Sequence, residues 1–135
     1  IYISDNEPFQ QDEETERKKL KSISKEKIEE AFEAYVENKN QNLIEFCEKA
    51  DLLIHDTQYL EEEYKDKVTW GHSPLNFTVE LAMRSKVKQL VLFHHDPDHD
   101  DAAIDQIEQL SKKILRSHKS RIACRAAKEG MTIEI

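Results

Sequence analysis

Cysteine is scarce in this chain, and basic tracts and long apolar runs are missing from it. Its two cysteines, Cys47 and Cys124, stand alone with no CxxC spacing. They read as reduced packing residues of a cytoplasmic protein. No apolar run approaches the roughly 18 residues that a membrane-spanning helix needs, and no signal peptide is visible. The net charge is −8, with no cluster of Lys and Arg to release counterions from a polyanion. That argues against broad nucleic-acid binding and against a membrane surface. It leaves room for a small phosphorylated substrate held through metal. No internal repeat or low-complexity tract interrupts the 135 residues, a length that suits one domain able to bury its own core.

What is present is an alternation of strands and helices. Ile1 to Ser4 reads as a short strand, and strand character at Ile1 itself implies sequence upstream. Pro8 forbids helix at Glu7 and opens a loop. Gln10 to Lys21 is polar and charge-dense, and is expected to be frayed or disordered. Ser24 can cap a helix to about Asn38, with Ile28, Ala31, Phe32, Tyr35 and Val36 on one face and Glu and Lys on the other. Asn42 with Glu45 resembles a capping box for a second helix, Leu43 to Lys49.

Ala50 to His55 reads as a buried strand by its apolar run, and Val87 to Phe93 as the next strand. Ser73 and Pro74 can start a helix to about Ser85, with Val79, Ala82 and Met83 toward the core. Ala103, Ile107, Leu110 and Ile114 mark a helix from Asp101 to Ser117. Arg121 to Arg125 and Met131 to Ile135 read as the last strands, with a turn at Gly130 between them. Such alternation predicts an α/β fold.

In layered α/β folds, ligands sit beyond the carboxyl ends of the strands. Polar clusters lie there in this sequence. Asp5 follows the first strand, His55-Asp56 ends the second, and His94-His95-Asp96-Pro97-Asp98-His99-Asp100-Asp101 follows the third. His72 opens a helix. Imidazoles and carboxylates gathered at strand ends must be paired, hydrogen-bonded or metal-bound if buried. Together they suit Zn, Mn or Fe. His72, beside Gly71, is well placed for proton transfer, and Asp56 could hold its ring in one tautomer. Structural explanations compete with each of these. Asp5 can make an Asx-turn, and His55 can be a packed strand-end residue. His72 can bond backbone. Asp98, Asp100 or Asp101 can simply cap the following helix. His99 and His118 read as surface residues.

These residues carry a resemblance. Ser4-Asp5 after a strand, Ala50-Asp-Leu-Leu-Ile-His-Asp-Thr-Gln-Tyr59, Trp70-Gly-His-Ser73, Leu90-Val-Leu-Phe-His-His-Asp-Pro97 and the closing Glu129 to Ile135 resemble the second half of a metallo-β-lactamase-fold hydrolase. The similarity is to the phosphodiesterase branch, which includes tRNA 3′-processing ribonucleases. The resemblance implies the C-terminal half of an αβ/βα sandwich over residues 1–135, with residues 12–49 a charged helical insertion or connection. It implies Asp5 as a metal-bridging carboxylate and His94 as a metal ligand. His72 would be the proton donor to the leaving oxygen, oriented by Asp56, with His95, Asp96 and Asp98 as supporting neighbours. Two divalent ions, zinc first and Mn or Fe as alternatives, would activate a water for phosphodiester hydrolysis.

The implied partners are the missing N-terminal half and a small phosphorylated or cyclic-nucleotide-like substrate, with a homodimer as a further option. The His-x-His-x-Asp-His motif of that family is absent from this chain. The chain alone is therefore expected to bind metal weakly and to lack hydrolase activity. The family's Gly-Asp-Thr is replaced by Ser4-Asp5-Asn6. Two other readings stand beside this one. The first is a non-catalytic α/β interaction module that docks through its acidic helix. The second is a receiver-like domain, disfavoured because the expected acid pair and Lys are not evident at matching strand ends.

Overall fold

A computed structural model describes residues 1–8 and 37–135. Among these, four strands form one sheet: β1 (Tyr2–Ile3), β2 (Leu52–Asp56), β3 (Gln89–Phe93) and β4 (Ala123–Ala126). Their spatial order is the order of the sequence, and every pair is parallel. Parallel neighbours need long crossovers, and helices supply them here. Residues 37–46 are helical and are termed α1. They are followed by α2 (Glu61–Tyr64), α3 (Leu75–Arg84) and α4 (Asp101–Ser117). The α/β architecture is the one expected, and its sheet is parallel throughout.

The register gives the sheet two unlike faces. Leu53, Leu90 and Cys124 lie side by side, as do Ile3, His55, Leu92 and Ala126. This face meets Val79 and Ala82 of α3 and Ile107 and Leu115 of α4, with Cys47 and Ile44 closing the cluster. Each large aliphatic side chain buried there contributes about 1.5–3 kcal/mol of transfer free energy. Burial pushes the Cys124 thiol up to about 12, so it is an inert packing group. On the opposite face Tyr2, Ile54, Val91 and Arg125 share a row, and Phe93 sits beside Asp56. Val91 is buried and Ile54 and Phe93 are half-buried, while Tyr2 is exposed and meets the edge of the Phe93 ring.

Helix ends follow local chemistry. Asp100 caps α4 by accepting from the Ala103 N–H at 2.8 Å, and the chain leaves that helix through Lys119 in a left-handed conformation. Pro74, not Ser73, occupies the N-cap of α3. The Ser73 hydroxyl donates instead to the Asn6 carbonyl.

Three expectations are corrected. Residues 37–46 form continuous helix, so Asn42 caps nothing; its amide donates to Asn38 one turn earlier. Met131 to Ile135 form no strand. Met131 closes a turn onto Lys128, and the Gln89 side chain donates to the Glu134 carbonyl. Gln89 belongs to β3, whose two edges are already paired, so no ladder is open there. His99 is not a surface residue; its side chain is 10% exposed and its Nε2 lies 2.8 Å from Glu63 Oε1. The expected Gln10 to Lys21 coil and the apolar face of Ser24 to Asn38 lie outside the described residues, as does most of the proposed insertion over 12–49.

Candidate metal and hydrolytic site

All strands run the same way, so their carboxyl ends share one edge. Asp5 follows β1, Asp56 closes β2 and His94 follows β3. Asp5 and His94 both take left-handed backbone conformations, with φ of 50° and 60°. Asp and His tolerate that region better than most residues, and the kinks turn both side chains away from the strand direction. His72 enters from the loop before α3. Ligand atoms of Asp5, His72 and His94 lie within 4.8 Å of one another.

Asp56 organises this cluster from behind. It is fully buried. Its Oδ1 accepts from the Ser73 N–H at 2.9 Å, and its Oδ2 accepts from His72 Nδ1 at 2.9 Å. His94 Nδ1 stands 3.2 Å from the same Oδ2, off the line of a hydrogen bond. His94 Nε2 points the other way, 3.7 Å from Asp5 Oδ1. The His72 and His94 rings lie 4.8 Å apart. With Nδ1 bonded to Asp56, His72 keeps Nε2 free for a ligand or a proton. Two imidazoles and a carboxylate suit a borderline divalent cation.

His55 faces the other way. Its ring is buried among the core residues, with Nδ1 donating to the Asp56 carbonyl at 2.7 Å and Nε2 3.4 Å from the Asn6 amide. Burial holds its pKa below the ordinary value, so it is a neutral packing group. His95 is half-buried; burial lowers its pKa, opposed by the Ala127 backbone beside it. Asp96 is buried and accepts from the Asp98 N–H at 2.9 Å, which tightens the loop after His94. His118 is exposed, and neither cysteine approaches the site.

Sequence reasoning overlooked Glu7 and Lys67. The Glu7 carboxylate accepts from the Tyr64 hydroxyl at 2.9 Å, from the Thr69 N–H, and from the Gly71 N–H at 3.1 Å. It thereby fixes the loop that delivers His72. Lys67 stands between the Asp96 carboxylate, 3.6 Å away, and the rings of Tyr59 and Trp70. Both residues act across long sequence separations, and no local spacing marks them.

Comparison with known proteins bears on the fold. Over 61 residues, 45% of the chain, it is 36% identical to Ribonuclease Z of Sulfurisphaera tokodaii. Over 52 residues it is 48% identical to Ribonuclease Z of Thermococcus sibiricus. The metallo-beta-lactamase fold protein YhfI from Bacillus subtilis superposes on 69% of the chain with a TM-score of 0.55 and 22% identity. The chain carries a metallo-β-lactamase fold. It spans only part of that fold's proteins: the matched stretches cover 20% and 16% of the two ribonucleases and 35% of YhfI. No protein-family model matches the chain.

Proposed function

We propose that this chain is the C-terminal half of a metallo-β-lactamase-fold domain whose complete form is a metal-dependent phosphodiester hydrolase. The observation that carries this reading is the convergence of Asp5, His72 and His94 in front of the buried Asp56. Similarity to ribonucleases Z supports the reaction class. Asp5 and His94 would hold divalent metal, zinc by the nitrogen–oxygen donor set, and the N-terminal half would supply the remaining ligands. The face formed by the exposed Tyr2 and the half-buried Ile54 and Phe93 offers that half a place to pack. A divalent ion there supplies Lewis acidity to a phosphodiester and to the attacking water.

The chain's own residues divide the remaining work. Asp5 brings negative charge to the mouth of the site, and Ser4 steadies it by donating to Oδ2 at 2.8 Å. Asp56 fixes the ring of His72 and selects the tautomer with a proton on Nδ1. Protonated at Nε2 as well, His72 would deliver that proton to the leaving oxygen. Ser73, locked to both Asn6 and Asp56, holds the His72 loop against β1. Small phosphorylated or cyclic-nucleotide-like esters are the proposed substrates.

The test is turnover of bis(p-nitrophenyl) phosphate beside metal content in the complete protein. His72→Ala should lower turnover about 10²–10⁴-fold and keep the metal, because a proton donor acts mainly in the transition state. His94→Ala should release metal. His72 belongs to the same ligand-distance cluster, so metal loss in His72→Ala with the per-metal rate unchanged would make it a ligand instead.

A further inference from the structure

His72 arrives on a loop that is gripped by the segment carrying Asp5. Asp56 fixes one side of His72, through the ring and through the Ser73 N–H. On the other side, the N–H groups of Thr69 and Gly71 both end on the Glu7 carboxylate, two residues past Asp5. The Tyr64 hydroxyl donates to the same carboxylate at 2.9 Å from the end of α2. Asn6 completes the bracket, its carbonyl accepting from the Ser73 hydroxyl. Residues 6 and 7 therefore hold Gly71 and Ser73, the two chain neighbours of His72.

The loop is held in a conformation that its sequence disfavours. Thr69 and Gly71 have φ of 76° and 89°. Glycine enters that region freely, but a β-branched threonine does so only where its surroundings impose it. Trp70, between them, is 61% exposed, and its backbone N–H goes to the Lys67 carbonyl at 3.1 Å. Among the described residues, Glu7 is the acceptor for both flanking N–H groups. Removing the carboxylate takes this acceptor from two backbone donors and a hydroxyl at once. Thr69 is then free to return to negative φ, and the chain on either side of it must turn.

We propose that Glu7 is a positioning residue, which sets the reach of His72 toward Asp5 and His94 by holding the loop against its own backbone preference. This rests on the hydrolase reading and adds to it a residue that acts through His72. A displacement of about 1 Å at a group engaged in the chemistry can cost on the order of 10²-fold in rate. Asp5 and His94 follow strands of their own, so the ion keeps its site when the loop relaxes.

The experiment compares the complete protein with Glu7→Ala and Glu7→Gln. It measures bis(p-nitrophenyl) phosphate kinetics per bound metal, metal content, melting temperature and the ring tautomer of His72. The tautomer is read by proton–nitrogen NMR correlation, with the His72 signals assigned by their loss in His72→Ala. The parent should carry its proton on Nδ1. Glu7→Ala should lower kcat per metal about 10- to 100-fold, with KM and metal content near the parent values, and should show mixed tautomers. Glu7→Gln keeps one acceptor oxygen and should retain part of the rate. A merely structural glutamate would lower the melting temperature and move neither kcat per metal nor the tautomer, and that result overturns the proposal. So does metal loss from Glu7→Ala with the per-metal rate intact, or a Glu7→Gln rate no better than that of Glu7→Ala. Should Glu7→Ala not fold, the kcat and tautomer of Glu7→Gln against the parent decide. If the parent has no metal-dependent turnover while the tautomer still depends on Glu7, the hydrolase reading fails and the bracket stands.

Discussion

Asp56 is the residue on which the candidate site turns, because its two oxygens accept from two fixed donors, His72 Nδ1 and the Ser73 N–H. In Asp56→Asn one of these donors must face an amide NH₂ group, whichever way the side chain is turned. The ring of His72 then loses its anchor or the start of α3 does. We expect Asp56→Asn to lower activity or metal affinity about 10–100-fold, as removal of an outer partner commonly does. Per-metal turnover and metal content of the purified variant would separate the two effects; full activity with full metal would show that Asp56 does not orient the site. At this scale the sequence was readable where chemistry sat at strand ends. Asp5, Asp56 and His94 each follow an apolar run that could be recognised locally. His99 was misread because its partner, Glu63, lies on a helix formed earlier in the chain. Glu7 escaped notice for the same reason, since its donors are a hydroxyl and two backbone N–H groups far along the sequence.

Among the elements, α4 matched its expected bounds of Asp101 to Ser117, and its cap shows why. An aspartate before an apolar-periodic stretch supplies an acceptor that the first turn lacks. Asp100→Ala should therefore cost about 0.5–2 kcal/mol of stability. Urea denaturation of the variant beside the parent would register it as a lower midpoint with an unchanged slope; an unchanged midpoint would mean that solvent caps the helix equally well. The same kind of signal misled at Asn42. Its pairing with Asn38, the pairing of Gln41 with Glu45, and Arg84 reaching from α3 to Glu37 and Gln41 carry the helix straight through the anticipated break. Alternation in Met131 to Ile135 misled differently: the turn that Met131 closes onto Lys128 and the Gln89 amide on the Glu134 carbonyl hold the tail out of any ladder, and nothing local in the sequence marks either contact.

At the scale of the molecule, the α/β class was legible because apolar strand runs alternate with helix-periodic stretches along the chain. The strand order was not, since spacing alone does not say which run lies beside which. The buried His55 links this architecture to pH. Burial keeps the folded imidazole neutral, with its pKa below the ordinary value, whereas the unfolded chain titrates near 6.5. Between the folded value and about 6.5 the unfolded state binds the extra proton. Stability is thus full above about pH 6.5 and falls below it, by at most about 1.4 kcal/mol per pH unit for one proton. Urea midpoints at successive pH values from 7.5 to 5 should show the decline, and His55→Asn should lessen its slope, the half-buried His95 keeping a share of it. A decline of equal slope in that variant would assign the effect to other groups.

Sequential strand order has a further consequence, for dividing the polypeptide. Asp5, Asp56, His72 and His94 are all delivered before α4 begins, and α4 with β4 contributes packing to the sheet rather than any of these four side chains. Pro97, Asp98 and Asp100 form an exposed joint between the two portions. A gene split there would place every group of the candidate site on one fragment and leave the other as a removable apolar cover. Reassembly of the two fragments would then draw on oil and water and on re-forming the β3–β4 ladder, with the chemistry carried whole on one side of the cut.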